Sequence, residues 1–130
     1  MRNDIWLLHR LDIIWSKYFN DVPQNNKVFI KFGRFAKLRL GSIKLDPKTK
    51  SSFITITGMF KNLKIPQAVV DCTIGHELTH YSHGFSSPHA RMHKYPHEGG
   101  VVKREMEARG MGHLLKAYRE WTKKYRESFR

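Results

Sequence analysis

Gln67-Ala68-Val69-Val70-Asp71-Cys72-Thr73-Ile74-Gly75-His76-Glu77-Leu78-Thr79-His80-Tyr81-Ser82 decides how this chain folds. Val70, Ile74, Leu78 and Tyr81 recur at helical spacing and form one apolar stripe. Pro66 suits the first turn of that helix. His83-Gly84 reads as its C-terminal cap, with Gly84 in the left-handed conformation. Inside the helix lies H-E-x-x-H, His76 to His80. Residues four apart sit one turn above each other on one face. Both imidazoles can therefore reach one metal ion. Glu77 points about 100° away from the ligand beside it, which suits a base acting on a metal-held water rather than a ligand. This is the zinc-hydrolase arrangement. The plain alternative is a surface helix with two unrelated histidines, in a chain that has 8. The apolar back and the cap favour the metal reading.

Upstream, Leu7, Leu8, Leu11, Ile14, Trp15 and Tyr18 repeat at helical period from Asp4 to Phe19. Asn20-Asp21-Val22-Pro23 ends that helix. The period then changes to two. Val28, Ile30 and Phe32, then Leu38 and Leu40, then Ile43 and Leu45 alternate with other residues, and Gly33 and Gly41 punctuate them. Asp46-Pro47-Lys48-Thr49-Lys50 reads as a turn. Phe53-Ile54-Thr55-Ile56-Thr57 is a further strand, ended by Gly58. Downstream, Phe85 to Gly100 is a loop with Pro88 and Pro96. A long helix resumes at Val101, with a break near Gly110 and Gly112. Its last part carries an apolar stripe of Leu114, Tyr118, Trp121 and Tyr125. Lys116, Arg119, Lys123, Lys124, Arg126 and Arg130 cover its other sides. The expected class is α+β in one domain over residues 1–130. Its order is an N-terminal helix, a small mainly antiparallel three-stranded sheet, the H-E-x-x-H helix, a loop and a long C-terminal helix, a zincin-like layout.

A catalytic zinc takes three protein ligands and a water. His76 and His80 supply two. His83, His89, His93, His97, Glu98, Glu105, Glu107 and His113 are the candidates for the third. His83 lies about 300° around the helix from His80, so the chain must first turn back. His89 and His93 read more simply as solvated loop residues. His97 stands directly before a helix start, which fixes it, and Gly99-Gly100 allow close backbone approach. Glu105 and Glu107 lie within that helix, where the simple reading is a charged face. Cys72 is spaced four before His76, yet it stands roughly 12 Å along the axis from His80. One ion cannot bind both, and Cys72 reads as a small buried residue.

The order of a helix, a basic sheet with Leu40-Gly41-Ser42-Ile43, the strand Ile54-Thr55-Ile56 and then His76-Glu77-Leu78-Thr79-His80 resembles the SprT-like metallopeptidase domain. The resemblance runs from about residue 5 to 112. Its specific part is the motif plus His97 with Gly99-Gly100 and Lys103-Arg104-Glu105-Met106. It implies zinc held by His76, His80 and His97, with Glu77 as the catalytic base of a metalloendopeptidase. It also implies substrates bound to or crosslinked with DNA. Two departures stand out: Glu98 separates His97 from the glycines, and the C-terminal zinc ribbon of some members is absent. A second resemblance is to minimal gluzincins, in which Glu105 would be the third ligand. Arg109 then occupies the place of an acid or amide, and a cation cannot accept a hydrogen bond from a ligand histidine. His97 is therefore favoured over Glu105. For the developing oxyanion, Tyr81, Tyr95 or a loop histidine could donate. Phe53–Thr57, if an exposed edge strand, could hold an extended peptide by strand addition.

Composition adds limits. Lys+Arg is 24 and Asp+Glu is 11, a net charge of +13. Such a surface attracts polyanions, be they nucleic acid, an anionic membrane surface or acidic protein. Lys27, Lys31, Arg34, Lys37, Arg39 and Lys44, with the C-terminal helix, are candidate DNA contacts. The chain's single cysteine excludes an internal disulfide or a four-cysteine zinc ribbon. Cytoplasmic residence is the default expectation, as is a monomer. The N-terminus lacks a signal-peptide cleavage pattern, and no apolar run is long enough to span a membrane. A non-catalytic basic nucleic-acid-binding module with structural zinc is the rival from another class. Glu77 argues against it, because a structural site has no use for a base.

Overall fold

The computed structural model describes residues 1–128. Arg130 lies outside the described residues, as does the side chain of Arg126. Helix α1 spans Asp4–Tyr18, and the Asn3 side chain caps it by accepting from the Trp6 amide. Three strands follow: β1 Val28–Phe32, β2 Gly41–Leu45 and β3 Ser52–Ile56. A short 3-10 turn, Gly58–Lys61, leads to α2 over Gln67–Ser82. A long loop then reaches α3, Val101–Ala108, and α4, Gly112–Glu127. The class is α+β, in the expected element order.

The sheet has the order β1-β3-β2. It is mixed: β2 and β3 form an antiparallel hairpin, while β1 runs parallel to β3. The expected antiparallel character therefore holds for one ladder of the two. Phe53–Ile56 is the central strand, so it cannot be the exposed edge that the sequence suggested for a peptide. That edge is β2. Leu38 and Leu40 do not lie in a strand either. Residues 33–40 must carry the chain from one edge of the sheet to the other, and they cross the end of β3 instead of pairing alongside it. Thr57 secures this crossing. Its hydroxyl accepts from the Ala36 amide (2.9 Å) and donates to the Ala36 carbonyl (2.8 Å), and its amide donates to the Leu40 carbonyl. Leu38 is left 97% exposed at the tip.

Period two places Ile30, Phe32, Ile54 and Ile56 on the inner face. Leu7, Leu11 and Ile14 of α1 and Val70, Ile74 and Leu78 of α2 complete this core, with Met106, Met111 and Leu114 behind. Each such side chain contributes roughly 1.5–3 kcal/mol of burial. Helix α2 is the centre of the molecule. It is buried on nearly all sides, not along one stripe, because the sheet and α1 cover one flank and α3 and α4 the other. Its buried Asp71 is therefore paired: Arg10 of α1 donates to both carboxylate oxygens, at 2.9 and 2.8 Å. Arg2 fastens the N-terminus by donating to the carbonyls of Phe60, Asn62 and Ile65. On α4, Tyr118, Trp121 and Tyr125 pack against the core as expected, Trp121 edge-on to Phe60. No helix among the described residues is long and apolar enough to cross a membrane.

Candidate metal centre

His76 and His80 project from the second half of α2, one turn apart. His97 reaches them from the long loop. Three local devices aim it. Gly84 ends α2 with φ +84°, and the Phe85 amide returns to the His80 carbonyl at 2.9 Å. A Cβ on Gly84 would meet the Ala90 carbonyl oxygen at 2.5 Å, so only glycine lets the loop fold back this closely. Glu98 then caps the turn before the ligand, its carboxylate accepting from the amides of Lys94 (2.6 Å) and Tyr95 (3.4 Å). Gly99 and Gly100 follow with φ +56° and +70°, which the left-handed region opens to glycine. The residue that interrupts the expected histidine–glycine order thus shapes the loop.

The ε-nitrogens converge. His80 Nε2 lies 3.1 Å from His76 Nε2, which lies 3.2 Å from His97 Nε2. The ligating atoms of all three fall within 4.8 Å of one another. Three ligands at about 2.0–2.1 Å around a tetrahedral ion stand about 3.3 Å apart, close to these separations. The chemistry agrees. His76 Nε2 faces two other nitrogens, and it can be donor or acceptor but not both. Three converging lone pairs repel unless a cation lies between them. Burial, then the neighbouring imidazoles, push the pKa of His76 down to about 4 and of His80 down to about 3. Both rings are therefore neutral near pH 7, the form that ligates. These three residues can hold a metal ion.

Glu77 is 5% exposed and lies against β2. A Cβ on Gly41 would come within 3.0 Å of Glu77 Oε2 and 2.8 Å of Thr73 Cγ2, so glycine there admits the carboxylate. Burial raises the Glu77 pKa to about 7, partly opposed by the charge of Arg39. A cleft of about 360 Å³ runs past this group, with Arg39, Gly41, Ile43, the three histidines and Arg91 among its walls.

The other candidates lie elsewhere. Glu105 accepts from Arg109 Nε at 3.0 Å, and its second oxygen is 3.1 Å from His83 Nε2, so it clamps α3 to the end of α2. His93 meets His83 edge-on, His89 meets the Pro23 carbonyl at 2.8 Å, and His113 faces Tyr18. Glu107 lies beside Lys103. Tyr81 donates to Asn26 at 2.7 Å and is fully buried, so it cannot serve the cleft. Cys72 is buried, with its thiol pushed up to about 12, mainly by desolvation. Sequence reasoning missed Arg91 and cast Arg39 only as a surface cation. Nothing local marks either one, because the crossing segment and the loop bring them together only in three dimensions. Comparison with known protein families, with curated proteins and with solved structures finds no match.

Proposed function

We propose that the protein is a zinc-dependent metalloendopeptidase. The carrying observation is the convergence of three imidazoles beside a buried carboxylate. His76, His80 and His97 would hold the ion. Zinc, when bound, supplies a water of lowered pKa and polarises the scissile carbonyl. Glu77, beside the three histidines, would accept the proton of the attacking water. When the C–N bond breaks, Glu77 returns the proton to the leaving amine. Arg39 and Arg91 bring positive charge to the cleft that faces the developing oxyanion.

The peptide would lie along β2. The Leu40–Thr57 and Asp46–Ser51 hydrogen bonds place even-numbered β2 residues in hydrogen-bonded pairs with β3. The amides and carbonyls of Gly41 and Ile43 therefore point outward, along the cleft. Ser86 already donates to the Ile43 carbonyl at 3.2 Å, as an added strand would. The resemblance to SprT-like domains and the charge of +13 support DNA-associated proteins as substrates. Glu77→Gln should keep zinc, measured by metal content, and lose cleavage of a denatured protein substrate. Cleavage equal to wild type would overturn the mechanism.

A further inference from the structure

Three segments meet beyond one end of the sheet. The register aligns Phe32, Ile56 and Gly41 across the strands, so the chain leaves β1 and β3 and enters β2 at the same end. The crossing segment, residues 33–40, closes that end. Residues 58–65 pack on it: the Gly58 amide donates to the Arg34 carbonyl, and a Cβ on Gly58 would meet the Gly33 carbonyl oxygen at 2.7 Å. The start of α1 joins them. The Phe32 amide donates to Asp4 Oδ1, and the Arg2 amide donates to the Lys61 carbonyl.

The side chains left outside at this end are of two kinds. Four are apolar: Ile5, Phe35, Leu38 and Leu63 are 68%, 60%, 97% and 69% exposed. Four are cations, Arg34, Lys37, Arg39 and Lys64, all exposed. Asp4 is the one acid in residues 1–5, 33–40 and 58–65, and its carboxylate holds the Phe32 amide. A single exposed apolar residue is ordinary, but several on adjoining segments among cations mark an interaction surface. Leucine and isoleucine have no ring to stack on a base, so a nucleic acid would meet the cations and leave them in water. An anionic bilayer takes both kinds. Its acyl boundary buries apolar side chains, and each Lys or Arg near its headgroups strengthens binding about fivefold.

We propose that this end of the molecule docks on an anionic phospholipid bilayer, with Leu38 and Leu63 entering the interface. Arg39 also borders the cleft, so docking holds the metal centre near the lipid surface. The inference does not depend on peptide cleavage. The full chain is sedimented with vesicles of phosphatidylcholine, alone or mixed with phosphatidylserine. It should pellet with the mixed vesicles and stay in solution with the neutral ones. Leu38→Gln combined with Leu63→Gln, which keeps every charge, should weaken that binding at least about tenfold. Arg34→Gln combined with Lys64→Gln should weaken it about 25-fold. Ile13→Gln, at an exposed apolar position further along α1, should bind as the wild type does. All these side chains are exposed, and an unchanged urea midpoint shows that each variant is folded. No binding to the mixed vesicles, or binding that the leucine double variant leaves unchanged, overturns the proposal. An equal loss with Ile13→Gln does the same. A leucine double variant that loses single-stranded DNA but keeps the vesicles assigns this end to nucleic acid, and the bilayer is then wrong.

Discussion

At the scale of single residues, the account turns on what burial does to ionisable groups. The same low-dielectric surroundings keep His76 and His80 neutral and hold Glu77 near neutrality. A base must be ionised to accept a proton, so cleavage should rise with pH as Glu77 titrates. Arg39 lowers that pKa, so its removal should raise it. Arg39→Ala is expected to move the acid limb of kcat/KM to higher pH, measured as a pH–rate profile with zinc saturating. A limb that stays put or moves down would deny Arg39 this influence. The paired histidines and the glutamate were legible in the sequence because a helix makes four-residue spacing a spatial fact. His97 was legible as a favoured candidate, since a helix start and two glycines follow it. The roles of Glu98, Arg39 and Arg91 were not. They depend on where the long loop over residues 83–97 and a strand crossover travel, which no local period records.

At the scale of elements, α2 governs the architecture. The sequence showed its apolar stripe, but not that α1, the sheet, α3 and α4 would cover nearly all of it. Buried Asp71 was the sign, since such a carboxylate needs a partner, and Arg10 provides it. The strand order was also out of reach. Hairpin and crossover sequences share a period of two, and only Thr57 reveals why residues 33–40 leave the sheet. The junction of α2 with α3 yields a prediction that separates two chemistries for Glu105. As a clamp, its loss leaves the buried His83 ring without its carboxylate partner. Glu105→Ala should therefore destabilise the fold by about 1–3 kcal/mol, measured by urea denaturation, while zinc stoichiometry stays at one. Loss of zinc with unchanged metal-free stability would instead make Glu105 the ligand.

At the scale of the whole molecule, charge and cleft act together. Several carboxylates are committed to internal pairs, Asp71 with Arg10 and both Asp21 and Glu105 with Arg109. Lys27, Lys31, Arg34, Arg39 and Lys44 meanwhile lie exposed on or beside the sheet. If about six phosphates are neutralised there, affinity for single-stranded DNA should fall about 300-fold between about 50 and 200 mM salt. Fluorescence anisotropy across a salt series measures this, and salt-insensitive binding, or none at low salt, would remove DNA from the account. The central claim is narrower than that. A crystal structure of the zinc-loaded protein, with anomalous data at the zinc edge, tests it most directly. The account predicts one ion bound by Nε2 of His76, His80 and His97 at about 2.0–2.1 Å, with Glu77 beside the open position. An ion held by Glu105, or no ion between the three histidines, would contradict it.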